Sequence, residues 1–182
     1  PMENCDLLIH AQWIVPVVPH DKAFRECSLI INDGKISAIT PTTEARKRFF
    51  SDTIIELDEH IVMPGLINAH GHAAMSLFRG FANDLPLSTW LNEHIWPDEG
   101  QHISAKFVRD GSQLAIAEMI RSGTTCFSDM YFFPEETCVV AHNAGIRCDI
   151  SFPILDFPSA WAKNPDEYIN KGLALRDSYS TH

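Results

Sequence analysis

The run Ile61-Val62-Met63-Pro64-Gly65-Leu66-Ile67-Asn68-Ala69 leads directly into His70-Gly71-His72, and the interpretation of the whole sequence starts from this stretch. The run after Pro64-Gly65 is short and apolar, which predicts a buried strand over Leu66 to His72. Side chains in a strand alternate between its two faces, so His70 and His72 are expected on one side with Gly71 opposite.

Two imidazoles spaced in this way can converge on one metal ion, because their Cα atoms lie roughly 6–7 Å apart in a strand. Zn²⁺ or Fe²⁺ suits such ligands. Small neighbours leave room for an ion and a ligand, namely Ala69, Gly71, Ala73 and Ala74. The alternative is that one histidine is a satisfied core or capping residue and the other a surface residue.

Composition excludes several classes of partner. The chain has 182 residues, 45% of them hydrophobic, which is enough for one domain or a small pair. Its formal net charge is −10, and Lys and Arg do not cluster, so we expect no nucleic-acid partner and no anionic membrane surface. No apolar run reaches the ~18–20 residues of a membrane span.

The cytoplasm is the expected location. The first six residues, Pro1 to Asp6, lack the basic start and apolar core of a signal peptide. The five cysteines are odd in number and contain no Cys-x-x-Cys pair, which is typical of reduced thiols rather than a disulfide framework or a zinc ribbon.

Residues 1–60 are predicted to form the N-terminal part of a composite β-sandwich. Short β-type runs span Leu7 to Val18, Ser28 to Ile31 and Lys35 to Ile39. Asp33-Gly34 between the last two indicates a hairpin, since glycine tolerates the positive φ that a tight turn needs. Strands this few and short need a partner sheet to cover both faces.

Residues 61–182 change to strands alternating with helices. Helices are predicted from Pro86 to Trp96, closed by Pro97; from the N-cap Ser104 to Gly123; from Pro134 to Gly145; and from Asn164 to about Leu175. This order predicts an α/β fold with parallel strands, here about three βα units of a (β/α)₈ TIM-type barrel. A closed barrel takes on the order of 250 residues, so the chain is expected to be truncated at its C-terminal end, and His182 there is not assigned to a site.

Several motifs make the chain resemble the amidohydrolase superfamily. Met63-Pro64-Gly65-Leu66-Ile67-Asn68-Ala69-His70-Gly71-His72 is similar to the family's motif at the end of barrel strand 1. Further runs resemble the N-terminal portion of one group within that superfamily, the 5-methylthioadenosine/S-adenosylhomocysteine deaminases. This group is related to chlorohydrolases and guanine deaminases. The runs are Met75 to Gly80, Asp84 to Leu87, Trp90-Leu91, Trp96 to Glu99, Gly123 to Thr125 and Ser128 to Phe132.

The resemblance implies half of an active site. His70 and His72 would be the first two ligands of one divalent metal ion, with zinc preferred over iron, while the other ligands and the proton-handling glutamate come from later strands. No catalytic acid–base residue is therefore expected within this chain. Such a metal ion can lower the pKa of bound water to about 7, and by the resemblance it would supply the hydroxide for attack on C6 of an adenine.

Glu99 matches the family position whose carboxylate accepts hydrogen bonds from the ribose hydroxyls. The residue type suits that role, since an ionised carboxylate is only an acceptor. Otherwise it is a solvated loop acid. Trp90 either lines the purine pocket or packs in the core.

A departure from the family pattern bears on the substrate. Much of the family has an arginine near the end of strand 3 that faces the carboxylate of S-adenosylhomocysteine, whereas this chain reads Ser151-Phe152-Pro153 there and has Arg147 at the start of the strand. The resemblance therefore implies a purine nucleoside substrate with 5′-methylthioadenosine preferred.

Two alternatives stay open. The first is a related enzyme on the same scaffold whose substrate is guanine, cytosine or a chloro-triazine. The second is that the isolated chain is a catalytically inactive structural module. A homo-oligomer is compatible with the sequence.

Overall fold

The computed structural model describes residues 2–179, so His182 and its two neighbours lie outside the described residues. The chain divides into two compact units between Pro64 and Gly65. Among the helices of the described residues, none is both long and apolar enough to cross a membrane.

The first unit contains six strands, four of which form a mixed sheet. The strands are β1 (Glu3–Asn4), β2 (Leu7–Ile14), β3 (Phe24–Asn32), β4 (Lys35–Pro41), β5 (Phe49–Phe50) and β6 (Ile54–Val62), with helix α1 (Thr42–Arg48) after β4. The sheet order is β4-β3-β2-β6, and a separate parallel pair joins β1 to β5. Strand β3 pairs antiparallel with β2 and β4, whereas β6 runs parallel to β2.

The predicted hairpin between β3 and β4 is confirmed. Asn32 pairs with Lys35 across the turn, and the two residues between them both have positive φ, 50° at Asp33 and 69° at Gly34. Two such residues define the tight turn whose twist matches the flanking strands. A partner sheet that would make this unit a composite β-sandwich stays a prediction.

A buried polar network lies on one face of this sheet. The ring of His10 is 2% exposed, and its Nδ1 lies 2.5 Å from Ser28 Oγ, which donates to Thr42 Oγ1 at 3.0 Å. His10 Nε2 has no hydrogen-bond partner among residues 2–179, and Glu56 Oε1 is 4.0 Å away. Burial lowers the pKa of His10, the charge of Arg46 lowers it further, and Glu56 and Asp58 oppose both.

This network predicts that the protein loses stability in mild acid. Because the folded-state pKa of His10 is depressed, the unfolded chain binds the proton more readily, and the free energy of unfolding falls as the pH drops below about 6.5. We expect the loss to grow steadily between pH 6.5 and pH 5. Denaturant titrations from pH 7.5 to 5 should show a weaker pH dependence in His10→Asn. His60→Asn, which changes an exposed imidazole of the same sheet, is the control, and an equal slope in both variants would contradict the assignment.

The second unit has three parallel strands in the order β7-β8-β9 with helices between them. Its elements are β7 (Leu66–Asn68), a 3₁₀ helix (Ala73–Phe78), α2 (Leu87–Thr89), a π-helical stretch (Trp90–Ile95), α3 (Trp96–His102), α4 (Ala105–Arg121), β8 (Thr124–Met130), α5 (Pro134–Ala144), β9 (Arg147–Ser151) and α6 (Pro165–Tyr179).

The helix ends follow the predicted signals. Ser104 Oγ accepts a hydrogen bond from Phe107 N at 3.2 Å and caps α4, as expected. Gly123 and Gly145 follow α4 and α5 with φ values of 86° and 72°, which glycine adopts without steric cost. The core between these helices and the sheet is centred on Phe127 of β8, which packs with Ile116, Val140 and their neighbours.

Two sequence predictions about local structure are wrong. Strand β7 ends at Asn68 instead of His72. Within the described residues β8 is its one neighbour, which leaves Leu66 51% and Ile67 72% exposed, so the predicted burial is not seen in this part of the protein. Pro97 does not close the helix before it. The helix passes through the π-helical stretch, whose wider register lets Trp96 N donate to Leu91 O just before the residue that has no N–H.

Candidate active site

His70 and His72 lie together beyond the end of β7, as predicted, although strand alternation is not what places them. Their ring centroids are 5.1 Å apart and the rings meet edge to face at 77°. The turn that carries them is set by Asn68, whose Oδ1 accepts a hydrogen bond from His70 N at 3.3 Å. Gly71 O accepts from Met130 N at 3.2 Å, which ties the turn to the end of β8.

The hydrogen bond of His72 fits a metal ligand. His72 Nδ1 lies 2.8 Å from the carbonyl oxygen of Met130, and a carbonyl only accepts, so Nδ1 carries the proton and Nε2 keeps its lone pair. Metal-binding histidines are commonly oriented by such a bond on the other ring nitrogen. No group of three or more His, Cys, Asp and Glu side chains suited to a metal occurs among the described residues.

The backbone after His72 is held by a buried carboxylate. Asp129 Oδ1 accepts a hydrogen bond from Ala73 N at 2.6 Å, and the side chain is almost fully buried. Burial raises the pKa of Asp129, while the Ala73 bond opposes the shift. On the far side of this 3₁₀ helix, Gly111 of α4 approaches Ala74 so closely that a Cβ would lie 2.5 Å from Ala74 O. The segment that starts at the histidine pair is therefore fixed from both sides.

Glu99 lies in helix α3, so the alternative of a solvated loop acid is wrong. Its side chain is 8% exposed, and Oε1 accepts a hydrogen bond of 2.5 Å from the hydroxyl of Tyr131, which is 5% exposed. Burial raises the pKa of Glu99, against the effects of the Tyr131 bond and of positive charge on His72. The pKa of Tyr131 is also raised, mainly by burial and then by the carboxylate beside it.

One cavity of about 200 Å³ brings His72 and Glu99 together. Its remaining walls are apolar or aromatic, and they come from the π-helical stretch, the end of β8 and the segment after β9. The lining residues are His72, Met75, Trp90, Leu91, Ile95, Trp96, Glu99, Met130, Tyr131, Phe132, Pro153 and Leu155. None of these described lining residues is a lysine or an arginine, and Arg147 lies at the start of β9.

Sequence reasoning missed the three consecutive residues that organise the site. Asp129, Met130 and Tyr131 hold Ala73, His72 and Glu99, respectively. Their position at the C-terminal end of a parallel strand was the available signal, because such ends carry functional residues in barrel enzymes. Trp90, for which core and pocket were both open, does line the cavity.

Relatives with known names match nearly the whole chain. A 5-methylthioadenosine/S-adenosylhomocysteine deaminase of Teredinibacter turnerae is 55% identical over 177 residues, covering 97% of this chain and 40% of the relative. A 5′-deoxyadenosine deaminase of Methanosarcina mazei is 43% identical over 151 residues, covering 83% of this chain and 34% of the relative. The chain thus spans about two fifths or less of the length of these relatives.

Solved structures show the same fold. An adenosine deaminase from Xanthomonas campestris with bound zinc superposes with a TM-score of 0.92 at 44% identity, covering 98% of this chain and 41% of that one. An atrazine chlorohydrolase from Arthrobacter aurescens TC1, complexed with zinc, gives a TM-score of 0.80 at 21% identity, covering 95% and 43%, which bears on the fold alone. Residues 61–180 match the amidohydrolase family, and the chain therefore belongs to that family.

Proposed function

We propose that the whole protein is a metal-dependent aminohydrolase that deaminates an adenine nucleoside, and that this chain supplies half of its site. The observation that carries the proposal is an apolar cavity lined by both His72 and Glu99, with the ring of His70 against that of His72. Relatives named as deaminases of adenine nucleosides support the substrate class. The proposal keeps residues 1–60 as part of a composite β-sandwich and residues 61–182 as the first βα units of a barrel, in the cytoplasm.

His70 and His72 would hold the metal ion, with zinc favoured because two solved relatives in fold contain it. When bound, a divalent ion activates water for attack on an aromatic amidine carbon. Met130 O fixes the tautomer of His72, and Asp129 fixes the backbone that follows it. Both effects keep the ring orientation the same throughout the reaction.

The other wall of the cavity binds the substrate. Trp90 and Trp96 offer aromatic surface for a purine, and the apolar lining excludes bulk water from the reacting carbon. Glu99 offers carboxylate oxygens to the ribose hydroxyls. In this proposal the groups that move protons during the reaction lie outside this chain.

We expect the whole protein to prefer 5′-methylthioadenosine to S-adenosylhomocysteine. The described cavity wall at Pro153 and Leu155 is apolar, which suits a neutral thioether and leaves a buried carboxylate without a cationic partner. The preference should be at least about tenfold in kcat/KM, the effect of one unpaired polar group. Comparable values for the two nucleosides would contradict this specificity.

The same assay tests the activity itself. Ammonia release should be measured with both adenine nucleosides and with guanine, cytosine and a chloro-triazine as competing substrates. Deamination confined to the adenine nucleosides supports the proposal. Turnover of guanine, cytosine or a chloro-triazine alone would replace the substrate class, and no turnover of any compound by metal-loaded protein would contradict the enzymatic proposal.

A further inference from the structure

The hydroxyl of Tyr131 is the one side-chain donor that reaches the carboxylate of Glu99 within residues 2–179. The bond joins Tyr131, just past the end of β8, to Glu99 in α3, 32 residues earlier. An O–H donor to a carboxylate oxygen at 2.5 Å belongs to the short, charge-assisted hydrogen bonds, which are about twice as strong as neutral ones.

The aromatic ring of Tyr131 cannot easily move. It packs in a cluster with Ala74, Ile103 and Val108, and its centroid lies 5.3 Å from that of Phe132 and 6.5 Å from that of His72. A ring held on several sides places its hydroxyl at a fixed point. The hydrogen bond therefore sets the rotation of the Glu99 carboxyl group about its last side-chain bond.

A fixed carboxylate presents a defined acceptor to the cavity. Because Tyr131 donates to Oε1, Oε2 keeps its lone pairs for a ligand in the cavity that Glu99 lines. Among the described lining residues Glu99 is the one carboxylate, and the others are apolar or aromatic apart from His72 and the Tyr131 hydroxyl. Within this part of the protein, a ligand hydroxyl in the cavity therefore finds its carboxylate acceptor in Glu99.

We propose that Tyr131 is a positioning residue that aims Glu99 at the ribose hydroxyls of the substrate and so sets the preference for nucleosides that carry them. This inference rests on the proposed function and extends it to a residue that touches Glu99 instead of the reacting atoms. The competing explanation is that the hydrogen bond only fastens α3 to the end of β8. The two explanations differ in whether the kinetic effect of removing the Tyr131 hydroxyl depends on the substrate.

The experiment compares adenosine with 2′,3′-dideoxyadenosine in the whole metal-loaded protein. Tyr131→Phe removes the hydroxyl and keeps the ring. We expect KM for adenosine to rise about tenfold and kcat to change less than about threefold, as for a lost hydrogen bond to a charged group that positions an acceptor. For the dideoxy substrate neither value should change appreciably, so the preference for adenosine falls about tenfold. Equilibrium binding of both nucleosides to the metal-free protein should show the same loss of preference.

A double-mutant cycle separates positioning from packing. If Tyr131 acts through Glu99, Tyr131→Phe has no further effect on the preference once Glu99 is alanine. Tyr168→Phe is the matched control. It removes the hydroxyl of another buried tyrosine, which donates to Phe157 O at 3.4 Å, and it should leave the preference for adenosine unchanged. Thermal unfolding and metal content verify that each variant is folded and loaded.

Each outcome decides the matter. An unchanged preference in Tyr131→Phe, or an equal loss on both substrates, overturns the positioning role and leaves the proposed function intact. If the unmodified protein deaminates no adenine nucleoside, the proposed function fails, and this inference fails with it.

Discussion

Replacing His72 by alanine in the whole protein is expected to reduce nucleoside deamination by at least about 1,000-fold, because in our proposal the change removes a ligand of the ion that activates water. The proton on Nδ1 is committed to Met130 O, so Nε2 is the atom available to a metal. His70→Ala should act in the same way, since its ring lies against that of His72. Steady-state kinetics should be measured together with bound zinc per protein, which is expected to fall in both variants.

The matched control for these variants is His102→Ala. His102 is an exposed histidine at the end of α3 in the same unit, and its loss should change neither zinc content nor kcat/KM appreciably. A His72→Ala protein that folds, binds a full equivalent of zinc and retains activity would show that the ion is held elsewhere.

Replacing Glu99 by alanine is expected to lower kcat/KM for adenosine by about 10²–10⁴, the effect of one or two lost hydrogen bonds to a charged acceptor. Most of the loss should be in KM, because Glu99 lies on the wall of the cavity that binds the sugar in our proposal. With 2′,3′-dideoxyadenosine the loss should be small. Kinetics with both nucleosides measure the difference directly.

Two further variants control for the burial of this carboxylate. Glu99→Gln keeps the shape and one acceptor oxygen for the Tyr131 hydroxyl, so it should lose less than Glu99→Ala. Glu93→Ala changes an exposed acid of the π-helical stretch and should be neutral. An identical fall for adenosine and its dideoxy analogue in Glu99→Ala would assign Glu99 a purely structural role.

The features that the sequence predicted well are those with a local cause. The hairpin at Asp33-Gly34 needs two residues with positive φ. The cap at Ser104 needs one hydroxyl, which accepts a hydrogen bond from the amide three residues later. The α/β class follows from the alternation of strands and helices. The histidine pair was predicted from its spacing and its small neighbours, whereas Glu99 was predicted because a motif of a known family contains it.

The features that were missed depend on contacts between distant parts of the chain. The bond from Tyr131 to Glu99 spans 32 residues and that from His72 to Met130 spans 58, and no periodicity in the sequence predicts either. The error at Pro97 has the same origin. A proline usually ends a helix, but here the helix continues through the π-helical stretch before Pro97, and Glu99 of the helix after it lines the cavity.

Zinc-edge anomalous diffraction from crystals of the whole, metal-loaded protein tests the central claim most directly. The account predicts an anomalous peak within about 2.0–2.1 Å of Nε2 of His72 and of a ring nitrogen of His70, with His72 Nδ1 still bonded to Met130 O. A peak remote from both rings, or His72 with its Nε2 turned away from the ion, would contradict it.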